Sequence, residues 1–241
     1  MEEQKATNFV AISGINFPAR SRKYLMGLVR QIVERHSAKF VVVAGGTIAG
    51  RELEKELKQK IRARELELKD EKGVDKMAEK LTLTKNFISE KVAALNEFLP
   101  KLKDVNYHIV IAESILDRPI GTRILEDLAK LRGGADGDIR LYTDPEAKMT
   151  IQVQGFGEMR VLVPRKTPWF YENITGLTQR LVNSFMSKTF SPKPRLIMVG
   201  GTGTGSFLPR YGPGVPIVSV PGLNKIEEQL STENMVGCVV M

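Results

Sequence analysis

Three short stretches of this chain place glycine, threonine and asparagine where an apolar run stops: Ser13-Gly14-Ile15-Asn16, Gly45-Gly46-Thr47 and Gly200-Gly201-Thr202-Gly203-Thr204. Such residues act through backbone amides and small hydroxyls rather than through charged side chains. Successive amides in a tight turn form a nest for an anion, so Gly200, Gly201, Thr202, Gly203 and Thr204 are a candidate anion site, with a plain structural turn as the alternative. An ordinary phosphate loop would run on into a helix whose N-terminus faces the anion. Here Pro209, Gly212, Pro213, Gly214 and Pro216 break any helical pattern, and Val215 to Pro221 reads as another short strand. The turn is therefore expected to join two strands, which also removes the helix that a dinucleotide-binding glycine motif would have to open.

Other residue types suggest other chemistry. Glu113 and Asp117 follow an apolar run, and with Asp138 or Asp144 they could supply oxygen ligands to a single Mg²⁺ or Mn²⁺ if they converge in space. Arg165 and Lys166 stand beside Trp169 and Phe170, a basic and aromatic mix that can stack bases and hold phosphates, or can pin a loop onto a core. The only cysteine is Cys238, which excludes an internal disulfide and a cysteine-based metal site. The two histidines, His36 and His108, are too few for a histidine-rich metal site. His36 ends a helical pattern and reads as a surface or capping residue; His108 begins an apolar strand and is expected to be hydrogen-bonded and structural. The terminal Cys238-Val239-Val240-Met241 matches a prenylation box and also reads as a closing buried strand.

The elements that must position these residues are legible from periodicity. Continuous apolar runs at 8–13 and 39–46 bracket an amphipathic helix at 22–37, the pattern of a parallel sheet covered on both faces. From Arg51 to about Lys103 the chain is dense in charge at helical spacing and interrupted near 71–76, which predicts an antiparallel helical arm. Leu53, Leu57 and Ile61 could face Phe87, Val92 and Leu95 across it, serving either self-association or a lid packed on its own domain. A strand at 107–113 and a helix at 118–134 follow. Then come short strands at 138–143, 148–155 and 157–164, a helix at 169–190, and strands at 195–200, 215–220 and the C-terminus. A parallel half joined to a strand-rich half predicts two sheets packed face to face with helices outside.

The order of these turns resembles the calcineurin-like metallophosphoesterases. That family reads Asp-x-His after the first strand, Gly-Asp after the second, Gly-Asn-His-Asp/Glu after the third and Gly-His-x-His near the end. Here SGIN stands in the first place, AGGTIAG in the second and GGTGTGSF in the last. The resemblance implies an α/β two-sheet sandwich flanked by helices, one domain over 1–241 with the arm at 51–103 inserted in it. It also implies a vestigial site at Gly14, Asn16, Gly46, Thr47, Glu113, Asp117, Gly201 and Gly203. Family members hold two metal ions about 3.5–4 Å apart through carboxylates and imidazoles, which generate a hydroxide and clamp the phosphate. Glycine offers no ligand. Gly14 and Gly46 replace aspartates, Asn16, Gly201 and Gly203 replace histidines, and the third motif has no Asn-His pair.

The expectation is therefore a protein with no catalytic residue, no metal and no cofactor, which binds or helps assemble a nucleic-acid or protein complex. The rivals are an active phosphoesterase or nucleotidase with a displaced single-metal site, and a homo-oligomeric structural component joined through the arm. AGGT also resembles the threonine-nucleophile turn of bacterial-type asparaginases, which would make Thr47 the nucleophile, but the second motif of that family is missing.

Composition bounds the setting. A formal charge of +8 over 241 residues suits a polyanion partner or simple solubility. Lysine- and glutamate-rich helices with scarce histidine and cysteine also suit a thermophile. No signal-like or membrane-spanning run stands at the N-terminus, so a cytoplasmic protein with no stable membrane insertion is expected.

Overall fold

The computed structural model describes residues 8–18, 23–68, 75–111, 117–143, 148–153, 157–163, 194–200, 205–211, 214–223 and 239–241. Two five-stranded sheets lie face to face. The first has the order β10-β1-β2-β3-β4, from β1 (Phe9–Ile12), β2 (Phe40–Ala44), β3 (Asn106–Ile111), β4 (Ile139–Thr143) and β10 (Val239–Val240). β1 to β4 are parallel, and β10 closes the edge antiparallel to β1. The second has the order β5-β6-β7-β9-β8, from β5 (Lys148–Val153), β6 (Gly157–Leu162), β7 (Leu196–Val199), β8 (Ser206–Tyr211) and β9 (Val215–Ser219).

Side-chain alternation builds the layers. Phe9, Ala11, Phe40, Val42 and Ala44 point into the space between the sheets and meet Met159, Val161, Leu196, Met198 and Val218. Their neighbours Val10, Ile12, Val41 and Val43 point the other way, into a core shared with four helices. These are α1 (Lys23–Arg35), α2 (Gly50–Glu67), α3 (Lys76–Phe98) and α4 (Arg118–Leu131). Strands buried on both faces need apolar residues at every position, which is why FVAI and FVVVA read as unbroken runs.

α2 and α3 form the expected helical hairpin between β2 and β3. The Asp75 carboxylate caps α3, accepting from the amides of Met77 at 2.9 Å and Ala78 at 3.2 Å. Leu53, Phe87, Val92, Leu95 and Leu99 join the core beneath the first sheet together with Ile124 and Leu128 of α4, so the base of the hairpin is packed on the body. The ammonium groups of Lys60 and Lys91 sit 5.0 and 4.9 Å from the centre of the Phe87 ring. Toward the tip, Leu66, Met77 and Leu81 are exposed.

Two expectations about the C-terminal part are corrected. The stretch after β7 was expected to be a single turn up to the next strand, but β8 lies within it, paired antiparallel with β9 across a register shift between Leu208 and Tyr211. Pro209 is tolerated because β8 is an edge strand with an irregular ladder, where a missing amide costs little. The closing strand β10 is an edge strand and not a buried one: Val240 and Met241 are exposed, while the Met241 backbone exchanges two 3.0 Å hydrogen bonds with Phe9. Cys238 and the helix expected at 169–190 lie outside the described residues.

Candidate functional site

The strand ends named by the sequence do come together. The loops after β1 and β2 zip along one another: Gly14 N–H donates to Gly45 O at 3.1 Å, Asn16 N–H to Gly46 O at 2.8 Å, and Phe17 N–H to Thr47 O at 3.0 Å. Leu223 N–H donates to Ser13 O at 2.8 Å, and the Ser13 hydroxyl donates to Ala44 O at 3.2 Å. Gly14, Asn16, Gly45 and Gly46 all have left-handed φ, at 59°, 52°, 76° and 67°. Glycine and asparagine are the residues that adopt this conformation at least cost. Asn16 adds a side-chain hydrogen bond to Gly14 O at 3.3 Å, which gives it a local structural role.

Two glycines are required by close approach. A Cβ on Gly200 would lie 2.6 Å from the carbonyl carbon and from the Cβ of Ala44, and closer still to its carbonyl oxygen. A Cβ on Gly45 would lie 2.8 and 2.9 Å from the methyl groups of Val163. The end of β7 thus lies directly on the end of β2, and the end of β6 on the turn that follows β2. The amide of Gly200 donates to Leu162 O at 2.9 Å, so it is committed to the sheet and is withdrawn from the anion nest expected there. Gly201, Thr202, Gly203 and Thr204 lie outside the described residues, as do Glu113, Asp144, Arg165, Lys166 and Trp169.

Asp117 and Thr47 are both fully buried. The Asp117 carboxylate accepts from the Ile48 amide at 2.8 Å, tying the start of α4 to the turn after β2. Gly50 permits this: a Cβ there would lie 2.5 Å from the Asp117 carbonyl carbon. The hydroxyl of Thr47 has no hydrogen-bond partner among the described residues. Its burial closes it to any substrate in this conformation, which removes the nucleophile reading.

Asp138 belongs elsewhere. It precedes β4, so it lies at the N-terminal end of the parallel strands, whereas Asp117, Asn16 and Thr47 follow strand C-termini. There it receives Arg132 at 3.1 Å. The Arg132 side chain is 0% exposed, and it also donates to the Asn96 side chain at 2.9 Å, to Asn96 O at 3.0 Å and to Leu99 O. This clamp holds the C-terminal end of α3 to α4 and β4; a lone arginine before two glycines gave no sign of it. Asp138 therefore does not join Asp117 in a displaced site, and the alternative set of Glu113, Asp117 and Asp144 rests on residues outside the described ones. His108 has the structural role expected: its Nδ1 lies 2.6 Å from the Tyr142 hydroxyl and its ring stacks on Tyr142 and meets Phe40 edge-on. Burial, with help from Arg140, lowers its pKa to about 4.

No protein-family model matches the chain, and no curated protein matches it in sequence. Similar solved structures include a single-site variant of Vps29 from Entamoeba histolytica, with 10% identity over 97% of this chain and 84% of that one, at a TM-score of 0.43. Another is GAP50, described as the anchor in the inner membrane complex of Plasmodium, with 10% identity over 97% of this chain and 80% of that one, at a TM-score of 0.39.

A metal pair of the kind the motif resemblance implies needs several carboxylates and imidazoles around one cavity. The described residues at the strand ends supply an amide side chain, glycines and one carboxylate already bonded to a backbone amide. No group of three or more His, Cys, Asp or Glu side chains converges among the described residues. These described residues do not fit the metal pair. No described helix is long and apolar enough to cross a membrane.

Proposed function

We propose that this protein is a non-catalytic relative of the metallophosphoesterase sandwich that works as a binding or assembly subunit. The observation that supports the reading is the closure of the strand ends on one another. Where the related motifs hold ligands around a cavity, Gly200 lies against Ala44, Gly45 against Val163, and Asp117 is bonded to the Ile48 amide. Backbone groups there satisfy each other, which serves stability, and the one described carboxylate at these strand ends, Asp117, is engaged with a backbone amide. The test is hydrolysis of bis(p-nitrophenyl) phosphate with Mn²⁺, Mg²⁺ or Zn²⁺. The reading expects turnover no faster than buffer with metal. Turnover that disappears in Asp117→Asn would overturn it.

The hairpin tip favours a second reading, self-association. Leu66, Met77 and Leu81 are each more than half exposed, and Met77 and Leu81 share one face of α3 at a spacing of four residues. Sedimentation of L66K/L81E decides this: a fall from a multiple of the chain mass to a single chain supports assembly through the tip. Wild-type protein that is already monomeric at high concentration removes it.

A further inference from the structure

The hairpin divides its charges between two faces. Along the seam, Lys60 meets Glu56 and Glu90, Arg64 meets Glu67 and Glu79, and Lys91 meets Glu56 and Glu90, at 2.8 to 3.7 Å. The other cations of α2, Arg51, Lys55, Lys58 and Arg62, are all exposed. None of these four has an ion-pair or hydrogen-bond partner among the described residues. Their spacing is i, i+4, i+7 and i+11, so at 3.6 residues per turn they fall within about 60° of one helix face and extend about 16 Å along it. Glu54 and Glu65 flank one side of this line; Glu52 and Gln59 flank the other.

The shape of the charge selects its partner. A broad anionic surface pressed on α2 would meet the flanking carboxylates together with the cations. A single phosphodiester strand laid along the helix meets the cations alone. One strand of a duplex carries a phosphate about every 3.4 Å of axis, so about five phosphates fit along 16 Å. We propose that this face of α2 binds the sugar-phosphate backbone of a nucleic-acid strand, running from Arg51 to Arg62, without reading base sequence. Phosphate contacts fix position and carry no sequence information, which suits a line made of lysine and arginine alone. The inference is independent of whether the strand-end site turns over substrate, and the experiment reads binding alone.

Four phosphate contacts predict that log K falls with log salt at a slope of about −3 for a single strand and about −3.6 for a duplex. The full chain is titrated into fluorescein-labelled (dT)20 and, separately, a 20-base-pair duplex, between 50 and 200 mM salt, and anisotropy is read. A slope of about −3 corresponds to about 60-fold weaker binding across that range. The variant R51Q/K55Q/K58Q/R62Q is expected to lose most of this slope, with helix content and Tm unchanged because glutamine is a good helix former. The variant K76Q/K80Q/K85Q/K103Q removes the same charge from other exposed positions and should keep the slope. The proposal is overturned by equal losses in both variants, by no binding at 50 mM salt, or by vesicles with 30% phosphatidylserine competing through the same four residues. The single-strand and duplex arms tell which form of the backbone the face prefers.

Discussion

Gly200→Ala is the sharpest perturbation of the closed strand ends. The backbone at Gly200 does not have a left-handed φ, so alanine is conformationally acceptable there and the whole effect comes from space. The added methyl would stand 2.6 Å from the carbonyl carbon and Cβ of Ala44, against 3.4 Å for ordinary contact, so the sheets must part by about 0.8 Å or more. Neither side yields cheaply. Gly200 is hydrogen-bonded to Leu162 O, and Ala44 sits in the β2–β3 ladder opposite Val110. A radial gap of about 0.5–1 Å forfeits a quarter to a half of each dispersion contact, and the layer affected holds Val42, Val161, Val163 and Met198. The expected loss is about 3 kcal/mol, at the upper end of overpacking, or roughly 10 °C in Tm for a chain of this size. Urea and thermal unfolding followed by circular dichroism measure it. Gly205→Ala is the control, because the nearest atoms to its Cβ would be those of the Pro221 ring, at an ordinary 3.7 to 3.9 Å. A Gly200→Ala protein that melts within a degree or two of wild type would refute the closure.

Other substitutions test other parts of the account. Arg132→Met should cost about 3 kcal/mol, because it leaves Leu99 O, Asn96 O and the Asp138 carboxylate without their shared donor; denaturant midpoints read this directly. Gly27→Ala should stabilise by about 0.5–1 kcal/mol, since Gly27 lies inside α1 and a Cβ there would meet nothing within 4 Å. His108 remains neutral in the folded protein down to about pH 4 but protonates in the unfolded chain near its ordinary value of 6.5. The unfolded state therefore binds the extra proton between those values, and stability falls as pH drops through that window. After discounting for partial exposure the fall is about 2 kcal/mol, and it should be missing from the His108→Gln stability profile.

How much of this was legible depended on what each residue faces. FVAI and FVVVA announced doubly buried parallel strands because both of their faces meet protein, and α1 and α4 announced themselves by helical spacing. β8 escaped because Pro209 and the surrounding glycines read as a turn, and an edge strand tolerates them. The turn glycines were seen, but their reason was only half read. Gly14 and Gly46 do serve left-handed turns, while Gly200 and Gly50 exist for contacts with Ala44 and Asp117, partners distant in sequence. The Arg132 clamp joins three elements through carbonyl oxygens, which carry no sequence signature. Asp138 looked like a partner for Asp117 by residue type alone, and the parallel direction of β3 and β4 places the two at opposite ends of the sheet.

The central claim is that the strand-end site holds no metal, and calorimetric titration of the metal-stripped protein with Mn²⁺ tests it most directly. The account predicts no heat of binding up to millimolar metal. Micromolar binding at one or two sites, lost in Asp117→Asn, would contradict it.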